Sequence, residues 1–504
     1  MSADPAQARP GTVGAGVFLL SALLCLPFVA YVPWIGDEGI MLHAGQRMLA
    51  GRRVYADFFE FHTPGTFLIA EAWLRVAGAS ILSIRVLSTA CVAAVALLTY
   101  LCCARVSGRR WASAALALAW VGCTQGKHTQ LSHQYFTTAL SMASFLAVVG
   151  GRTPAAGRAG VFAGAAAMTT SGRGALAVLA ALASLGPRWR SWLIFAAGVA
   201  AIPAACTAYL LWRGVLDEAI QDIFVWTARR YTGIQAVRIG AHATAEDLPL
   251  VLAYPLAVLA LLMLLVTRRG ELKGRLVASI AFAVCGLVGS FPRPDDWHMS
   301  VAAPLILPLL ALGWDALAAS AGRFRWVPAA AAGLALAPAA LAYGHSAKHA
   351  LSIERVDTPA GAVAFEEEGI GPIVRQLAPL PKSDHFFFYP YMPLLPVLTH
   401  RDHVAKVDLF TPHYTTPEQY DAACREVMGA ADWVVFDRLW TDPRHLRAVF
   451  PAMREATSPA SLKLEAALAR GFAPSADTGR FLLMKRTPAA GQALCGPPPA
   501  AQAR

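Results

Sequence analysis

Apolar runs about as long as a bilayer is thick recur along the first two-thirds of the chain. A transmembrane helix needs roughly 20 predominantly apolar residues. We predict membrane spans at 12–33, 81–104, 110–125, 132–150, 158–171, 174–186, 191–212, 248–267, 275–291, 299–318 and 326–344. Only the short runs 158–171 and 174–186 are ambiguous, because Ser171-Gly172-Arg173 separates either two short helices or the halves of one kinked helix.

The charges between the runs decide the number of spans. If the N-terminus is cytoplasmic, eleven spans place five short loops inside, and each contains at least two Arg or Lys: 104–110, 151–158, 187–190, 267–275 and 321–325. This distribution obeys the positive-inside rule. Merging the two short runs would move the basic loop 267–275 outside. About eleven helices are therefore expected, with the long loops 34–80 and 213–247 on the outer face.

Beyond residue 344 the long apolar runs give way to short segments. We predict a transmembrane domain over 1–344, an extracytoplasmic α/β domain over 345–486, and a disordered Pro- and Ala-rich end over 487–504. The predicted strands of the second domain are His385–Tyr389, Trp433–Phe436 and Phe481–Met484, and its predicted helices are Pro417–Met428 and Ser461–Ala469.

The composition agrees with a multi-pass protein of the cytoplasmic (inner) membrane. Of 504 residues, 56% are hydrophobic and 15% are charged, whereas a soluble domain has about 25% charged residues. The net charge of +11 reflects basic cytoplasmic loops, so no nucleic-acid partner is expected. Cys424 and Cys495 are the two cysteines of the polar C-terminal part, and an extracytoplasmic location would allow them to pair.

Two adjacent carboxylates, Asp37 and Glu38, follow the first apolar run directly. The next residues predict a helix along the membrane surface, because its apolar and polar side chains fall on opposite faces. One interpretation of the acidic pair is a helix cap, since carboxylates suit the positive end of a helix. The other is a catalytic centre in which one carboxylate accepts a proton from an attacking hydroxyl.

The rest of this first loop is long and aromatic. It contains Tyr55, Asp57 and His62, and then Thr63-Pro64, which are typical of a helix N-cap followed by Pro at the first helical position. A second surface helix is therefore predicted after His62. The loop 34–80 thus combines two surface helices with several polar side chains between them.

This order of features resembles the GT-C superfamily of membrane glycosyltransferases, and within it the branch of protein O-mannosyltransferases and lipid A aminoarabinose transferases. The matching residues are Asp37, Glu38, Leu49, Gly51, Tyr55, Asp57, Phe58, His62 and Pro64. The resemblance implies that loop 34–80 is catalytic, with Asp37 as base or acceptor-orienting carboxylate and Glu38 as its partner. It also implies a polyprenyl-phosphate donor, with Tyr55, Asp57 and His62 supporting the acceptor or the loop.

A phosphate-linked donor requires cations near the outer membrane boundary. The candidate donor-phosphate residues are Arg47, Arg52, Arg53, Lys127, His128, Arg293 and His298. For the arginines, interfacial snorkelling is an equal alternative, and Asp295 and Asp296 beside Arg293 suit a turn. We assign no metal ligand and no cofactor, because no residue spacing demands a metal, but a divalent metal stays open.

The sequence therefore predicts a hexosyl or pentosyl transferase that moves a sugar from a polyprenyl-phosphate carrier to a lipid, glycan or protein acceptor. Its other partners are the membrane lipids. The alternative is a transporter or flippase of a lipid-linked glycan intermediate, in which charged residues at the bilayer midplane and a repeat between halves are expected. Neither feature is visible in the sequence.

Overall fold

The computed structural model describes residues 10–150, 153–245, 247–267, 273–320 and 326–496. Helices dominate its first part: α1 Pro10–Cys25, α2 Asp37–Leu49, α3 Pro64–Ala77, α4 Ile81–Ser107, α5 Arg110–Thr124, α6 His133–Val149, α7 Thr153–Ala167, α8 Ser171–Ser184, α9 Trp189–Arg213, α10 Leu216–Ile220, α11 Thr232–Ile234, α12 Leu248–Thr267, α13 Lys273–Gly289, α14 Asp296–Ala302, α15 Leu307–Ser320 and α16 Trp326–Ser352. A π-helical segment, Gln221–Tyr231, joins α10 to α11.

Each predicted apolar run contains a helix, and the two short runs are the separate helices α7 and α8. The predicted number of spans is nevertheless wrong when the helices are judged by their length and apolar composition. Among the described residues, four helices are long and apolar enough to cross a membrane: Gly11–Phe28, Ile81–Ser107, Trp189–Arg213 and Leu248–Val266. A bent pair, Asp296–Leu305 with Leu307–Ala319, would make a fifth.

Helix length explains most of the difference. The helices α5, α6, α7, α8 and α13 contain only 14 to 17 residues, whereas a perpendicular span needs roughly 20. The predicted runs at these places were themselves short: 110–125, 132–150, 158–171, 174–186 and 275–291 contain 13 to 19 residues.

The C-terminal part contains helices packed on sheets. Its elements are β2 Arg355–Thr358, β3 Gly361–Phe365, α17 Ile370–Leu377, β4 His385–Tyr389, α18 Leu394–Thr399, β5 Asp402–His403, α19 Pro417–Ala430, β6 Trp433–Asp437, α20 Pro443–Val449, α21 Pro459–Gly471, β7 Phe472–Asp477 and β8 Phe481–Arg486. The predicted strands are β4, β6 and β8, and the predicted helices are α19 and α21. They belong to a five-stranded sheet of order β5-β4-β6-β8-β7, in which β4 is parallel to β5 and β6.

A second, three-stranded sheet joins the two parts of the chain. Strand β1, Tyr31–Val32, follows the first apolar helix and pairs in parallel with β3, so that Tyr31 lies opposite Ala364. Strand β2 completes the order β1-β3-β2. The segment just before Asp37 is therefore held against the C-terminal part by backbone hydrogen bonds.

Helix α2 is buried on both faces instead of presenting its polar face to water. Its apolar residues Ile40, Ala44 and Met48 pack in one cluster with Phe67 of α3. On the opposite face, His43 and Arg47 are buried against the C-terminal part. The predicted surface helix is therefore a buried helix at the interface between the helical part and the C-terminal part.

Part of the segment predicted to be disordered packs on α19 and α21. The backbone N–H of Thr487 donates to the carbonyl of Gly471, and Gln492–Cys495 form a short 3-10 helix. Cys495 is disulfide-bonded to Cys424. Residues 497–504 of the predicted disordered end lie outside the described residues.

Candidate active site

A cavity of about 890 Å³ lies where the loops between the helices meet the C-terminal part. We call it the site cavity. Its lining comes from the start and the middle of loop 34–80, from the segments before α6, α12 and α14, from α16 and from the C-terminal part. Six of the sequence-predicted site residues line it: Asp37, His62, Lys127, His128, Arg293 and His298.

Asp37 is half-buried at the first position of α2 and its side chain faces the site cavity. Its Oδ1 accepts a 2.6 Å hydrogen bond from the Tyr391 hydroxyl. Burial raises the pKa of Asp37 above its ordinary value, while the Tyr391 hydrogen bond and the charges of His298 and Arg293 partly offset this rise. A carboxylate with a raised pKa is a better proton acceptor near neutral pH than an ordinary one.

Glu38, the next residue, lies outside the site cavity. Its carboxylate is fully buried and forms an ion pair with Arg85 of α4. Its Oε1 also accepts a 2.7 Å hydrogen bond from the backbone N–H of Leu131. Arg85 in turn donates to the carbonyl of Tyr31 at 2.9 Å, so that Glu38 ties α2 to α4, to β1 and to the segment before α6.

The basic side of the site cavity is built around Asp295, the N-cap of α14. The Asp295 carboxylate accepts from Arg293 Nε at 2.6 Å and lies 2.7 Å from His298 Nδ1. Although burial acts to raise it, the neighbouring His298 and Arg293 hold the pKa of Asp295 below its ordinary value. Arg293 also donates to Gln235 Oε1 at 3.2 Å and to the carbonyl of Val449 at 3.0 Å. These contacts fix a guanidinium and an imidazole on the wall of the site cavity.

Lys127 lies between two acids that come from different loops. Its Nζ is 2.7 Å from Asp247 Oδ2 and also forms an ion pair with Asp296. Although partial burial acts to lower it, the hydrogen bonds to Asp247 and Asp296 raise the pKa of Lys127 above its ordinary value. The ammonium therefore stays charged and neutralises part of this acidic cluster.

The same cluster has the residue types of a metal site. Ligand atoms of His128, Asp247 and Asp296 all lie within 4.8 Å of one another, and nitrogen and oxygen ligands of this kind suit zinc. His128 Nε2 has no hydrogen-bond partner among the described residues and lies 3.8 Å from Asp247 Oδ1. Lys127 Nζ already binds both carboxylates, so a metal ion at this site would have to displace the ammonium.

The other predicted residues pair away from the site cavity. Arg47 donates to Asp408 Oδ2 at 3.2 Å in a buried cluster. Arg52 and Arg53 form exposed ion pairs with Asp402 at 3.3 Å and with Asp57 at 3.1 Å. The Tyr55 hydroxyl donates to the carbonyl of His62 at 2.7 Å, which supports the loop that carries His62.

His62 and His133 face each other in the site cavity. Their ring centroids are 4.3 Å apart, and His133 is the first residue of α6. Burial lowers the pKa of His62 to about 4, so this imidazole is neutral at neutral pH. A neutral imidazole can donate or accept a hydrogen bond, but it adds no positive charge for a phosphate.

The C-terminal part supplies residues that the sequence analysis missed. Tyr391 follows β4, Trp440 follows β6, and both line the site cavity beside Trp34 of the first loop. Tyr414 and Phe450 also line it. The available signal was the segment Tyr389-Pro390-Tyr391-Met392-Pro393 after a buried strand, which is typical of a loop, and loops often carry functional residues.

No protein-family model and no curated protein sequence matches the chain. Solved structures do. The chain is similar to ArnT from Cupriavidus metallidurans in the apo state, with a TM-score of 0.57, 13% identity, and coverage of 97% of this chain and 100% of that one. It is also similar to the Archaeoglobus fulgidus oligosaccharyltransferase in complex with Zn and sulfate, with a TM-score of 0.52, 11% identity, and coverage of 92% and 72%.

A third similar structure is the arabinofuranosyltransferase AftD from Mycobacteria, with a TM-score of 0.52, 15% identity, and coverage of 97% of this chain but 40% of that one. All three are membrane glycosyltransferases of the GT-C superfamily. The chain has a GT-C fold. The resemblance expected from the loop residues is thus confirmed at the level of the fold.

Proposed function

We propose that the protein is an integral membrane glycosyltransferase with Asp37 as its catalytic base. It would transfer a sugar from a polyprenyl-phosphate carrier to an acceptor hydroxyl on the outer face of the cytoplasmic membrane. The observation that carries this proposal is the Asp37 carboxylate: it faces the site cavity, has a raised pKa and is held by Tyr391 opposite the Arg293–Asp295–His298 group.

The proposed reaction is a single displacement. The acceptor oxygen attacks the anomeric carbon, the bond from that carbon to the phosphate oxygen breaks, and its electron pair leaves with polyprenyl phosphate. The acceptor proton passes to Asp37. Arg293 and His298 would stabilise the negative charge on the leaving phosphate. Glu38 would act as a positioning residue, because its carboxylate is bound by Arg85.

The proposal requires no metal ion. The two acids that a divalent metal would need, Asp247 and Asp296, are bound by Lys127. Lys127 and His128 would therefore shape the site cavity from one side without acting as the main phosphate ligands. Arg47, Arg52 and Arg53, which pair with Asp408, Asp402 and Asp57, have no part in the proposed chemistry.

The proposed orientation rests on two features. The short loops 104–110 and 187–190 are basic, which favours a cytoplasmic location. At the other end, the disulfide between Cys424 and Cys495 supports an extracytoplasmic C-terminal part, because disulfides persist in oxidising compartments.

An in vitro transfer assay tests the proposal. Purified protein is incubated with a panel of polyprenyl-phosphate hexoses and pentoses, with and without membrane extract as acceptor, and released polyprenyl phosphate is measured. Loss of a general base costs about 100- to 10,000-fold in rate, so Asp37→Asn should lose release by that factor. Asp57→Asn is the matched control, because Asp57 lies in the same loop but pairs with Arg53 at 3.1 Å.

Two results would contradict the proposal. Full activity of Asp37→Asn would remove the assigned base. Absence of release with every donor, together with saturable binding of the carrier lipid, would favour the transporter or flippase instead.

A further inference from the structure

Three aromatic side chains beside Asp37 form one wall of the site cavity. We call Trp34, Tyr391 and Trp440 the aromatic wall. We propose that this wall binds a saccharide acceptor by stacking against the apolar face of a sugar ring. This inference rests on the proposed glycosyl transfer and adds to it the chemical class of the acceptor.

The three rings contact one another directly. Trp34 and Trp440 are stacked with ring centroids 6.0 Å apart and an interplanar angle of 20°. Tyr391 meets Trp440 at 5.3 Å and Trp34 at 5.6 Å, in both cases edge to face. Because each ring is held by the other two, the aromatic wall is preorganised, and little side-chain entropy is lost when a ligand packs on it.

The aromatic wall and the base form one unit. The Tyr391 hydroxyl donates to Asp37 Oδ1 at 2.6 Å, and Trp34 is only three residues before Asp37 in the chain. A sugar ring that packs on the wall therefore has its hydroxyl groups near the Asp37 carboxylate. A general base must lie within hydrogen-bond reach of the proton that it accepts, and the proposed stacking places a ring hydroxyl on the side of Asp37.

The chemistry of the wall favours a sugar over a prenyl chain. A sugar ring presents C–H groups on its faces, which suit the electron-rich face of an indole, and hydroxyls at its edges, which suit Asp37 and Arg293. A hydrocarbon chain in the same place would desolvate these two charged groups without giving them a hydrogen bond.

The part of the chain that supplies the aromatic wall also favours a saccharide acceptor over the prenyl carrier. Tyr391 and Trp440 come from the loops after β4 and β6 of the C-terminal part, whereas a prenyl carrier enters from the bilayer. The side chains of Ile40 of α2 and Phe67 of α3 also line the site cavity and give the carrier an apolar surface. Donor and acceptor would thus meet at Asp37.

Substitution of Trp440 tests this inference. Trp440→Leu removes the aromatic face but keeps an apolar side chain, and Trp433→Leu is the matched control. Trp433 belongs to β6 of the same part, and both tryptophans are 6% exposed. The Trp433 indole donates to Asp384 Oδ2 at 2.8 Å outside the site cavity. The acceptor probes are octyl glycosides of hexoses and pentoses, a Ser/Thr-containing peptide and a sugar-free long-chain alcohol.

The expected result is transfer to at least one octyl glycoside, with a KM for that glycoside raised about ten-fold in Trp440→Leu. The KM for the donor should change less than about two-fold, and Trp433→Leu should match the wild type in both constants. Transfer only to the peptide or the alcohol, or an unchanged glycoside KM in Trp440→Leu, would overturn the saccharide assignment while leaving glycosyl transfer intact. Absence of donor cleavage in the wild type with every acceptor would overturn both.

Discussion

At the scale of single residues, two adjacent carboxylates have different surroundings. Successive residues of an α-helix point about 100° apart, since one turn takes 3.6 residues. Asp37 therefore faces the site cavity, while Glu38 faces Arg85 in the core. Chain neighbours with the same charge thus differ in their surroundings, because the helix turns one toward the site cavity and the other toward a buried cation.

The first prediction concerns Glu38. Glu38→Gln leaves the buried Arg85 without a counter-charge, and breaking a buried ion pair costs about 3–5 kcal/mol. We expect a clear fall of the Tm of the purified protein in detergent. Asp37→Asn should change the Tm little, because the Asp37 carboxylate is half-buried and its hydrogen-bond partner is the neutral Tyr391 hydroxyl. Equal Tm values for the two variants would contradict the structural role of Glu38.

The second prediction concerns the pH dependence. A base works only in its deprotonated form, so transfer falls as the pH drops through the raised pKa of Asp37. The Tyr391 hydrogen bond lowers this pKa, and Tyr391→Phe should therefore raise it further. The acidic limb of the rate–pH profile should move to higher pH.

Tyr389→Phe is the control for this shift. The Tyr389 hydroxyl also donates to a carboxylate, Glu465 at 2.9 Å, but Tyr389 packs in the core of the C-terminal part. Loss of the Tyr389 hydroxyl should therefore leave the rate–pH profile unchanged. A shift of the Tyr391→Phe profile to lower pH, or an equal shift in both variants, would show that Asp37 is not the titrating base.

The third prediction concerns the ammonium of Lys127. Lys127→Ala removes the cation that binds Asp247 and Asp296 and leaves them facing His128. We expect this variant to gain zinc binding, seen as about one zinc per chain by elemental analysis and as a zinc-dependent rise of Tm. The wild type should keep its transfer activity in EDTA. Stoichiometric zinc in the wild type, with activity lost in EDTA, would contradict the proposal.

At the scale of elements, α2 connects the chemistry to the C-terminal part. Its polar face forms a buried cluster in which His43 Nδ1 and Arg47 contact the Asp408 carboxylate at 2.9 Å and 3.2 Å. Near its start, a Cβ at Gly39 would collide with the backbone of Leu394. This close approach, possible only for glycine, brings Asp37 within reach of Tyr391.

The fourth prediction compares two aspartates that face α2 or the loop after it. Asp408→Ala leaves Arg47 buried and unpaired, which costs about 3–5 kcal/mol, whereas the exposed pair of Arg52 and Asp402 contributes about 0–1 kcal/mol. We expect Asp408→Ala to lower the Tm and to increase proteolysis after α16, and Asp402→Ala to change neither. Similar effects of both substitutions would mean that α2 does not hold the C-terminal part.

At the scale of the whole molecule, the features that could be predicted from the sequence are those that depend on neighbouring residues in the chain. The positions of the helices follow from apolar runs, and β4, β6, β8 and α3 follow from short patterns and from Thr63-Pro64. The pairing of Tyr31 with Ala364, the burial of the polar face of α2 and the aromatic wall were not predictable. Apart from the contact between Tyr391 and Trp440, these contacts join residues more than 300 positions apart, and a local sequence pattern carries no information about such partners. The span number failed because several predicted apolar runs, such as 158–171 and 174–186, are shorter than the roughly 20 residues that a span needs.

The last prediction concerns the sidedness of the molecule. The seven free cysteines among the described residues are buried, so single exposed cysteines can be labelled over a low background. Glu455→Cys in the C-terminal part and Arg229→Cys in the π-helical segment should react with a membrane-impermeant maleimide in intact cells. Arg190→Cys, at the start of α9 in the basic segment 187–190, should react only after permeabilisation. Because Trp226 of the π-helical segment donates to the carbonyl of Tyr414 at 3.1 Å, residues 229 and 455 must label from the same side. Labelling of 190 and 455 from one side would exclude the proposed orientation, and with it an outer-face acceptor.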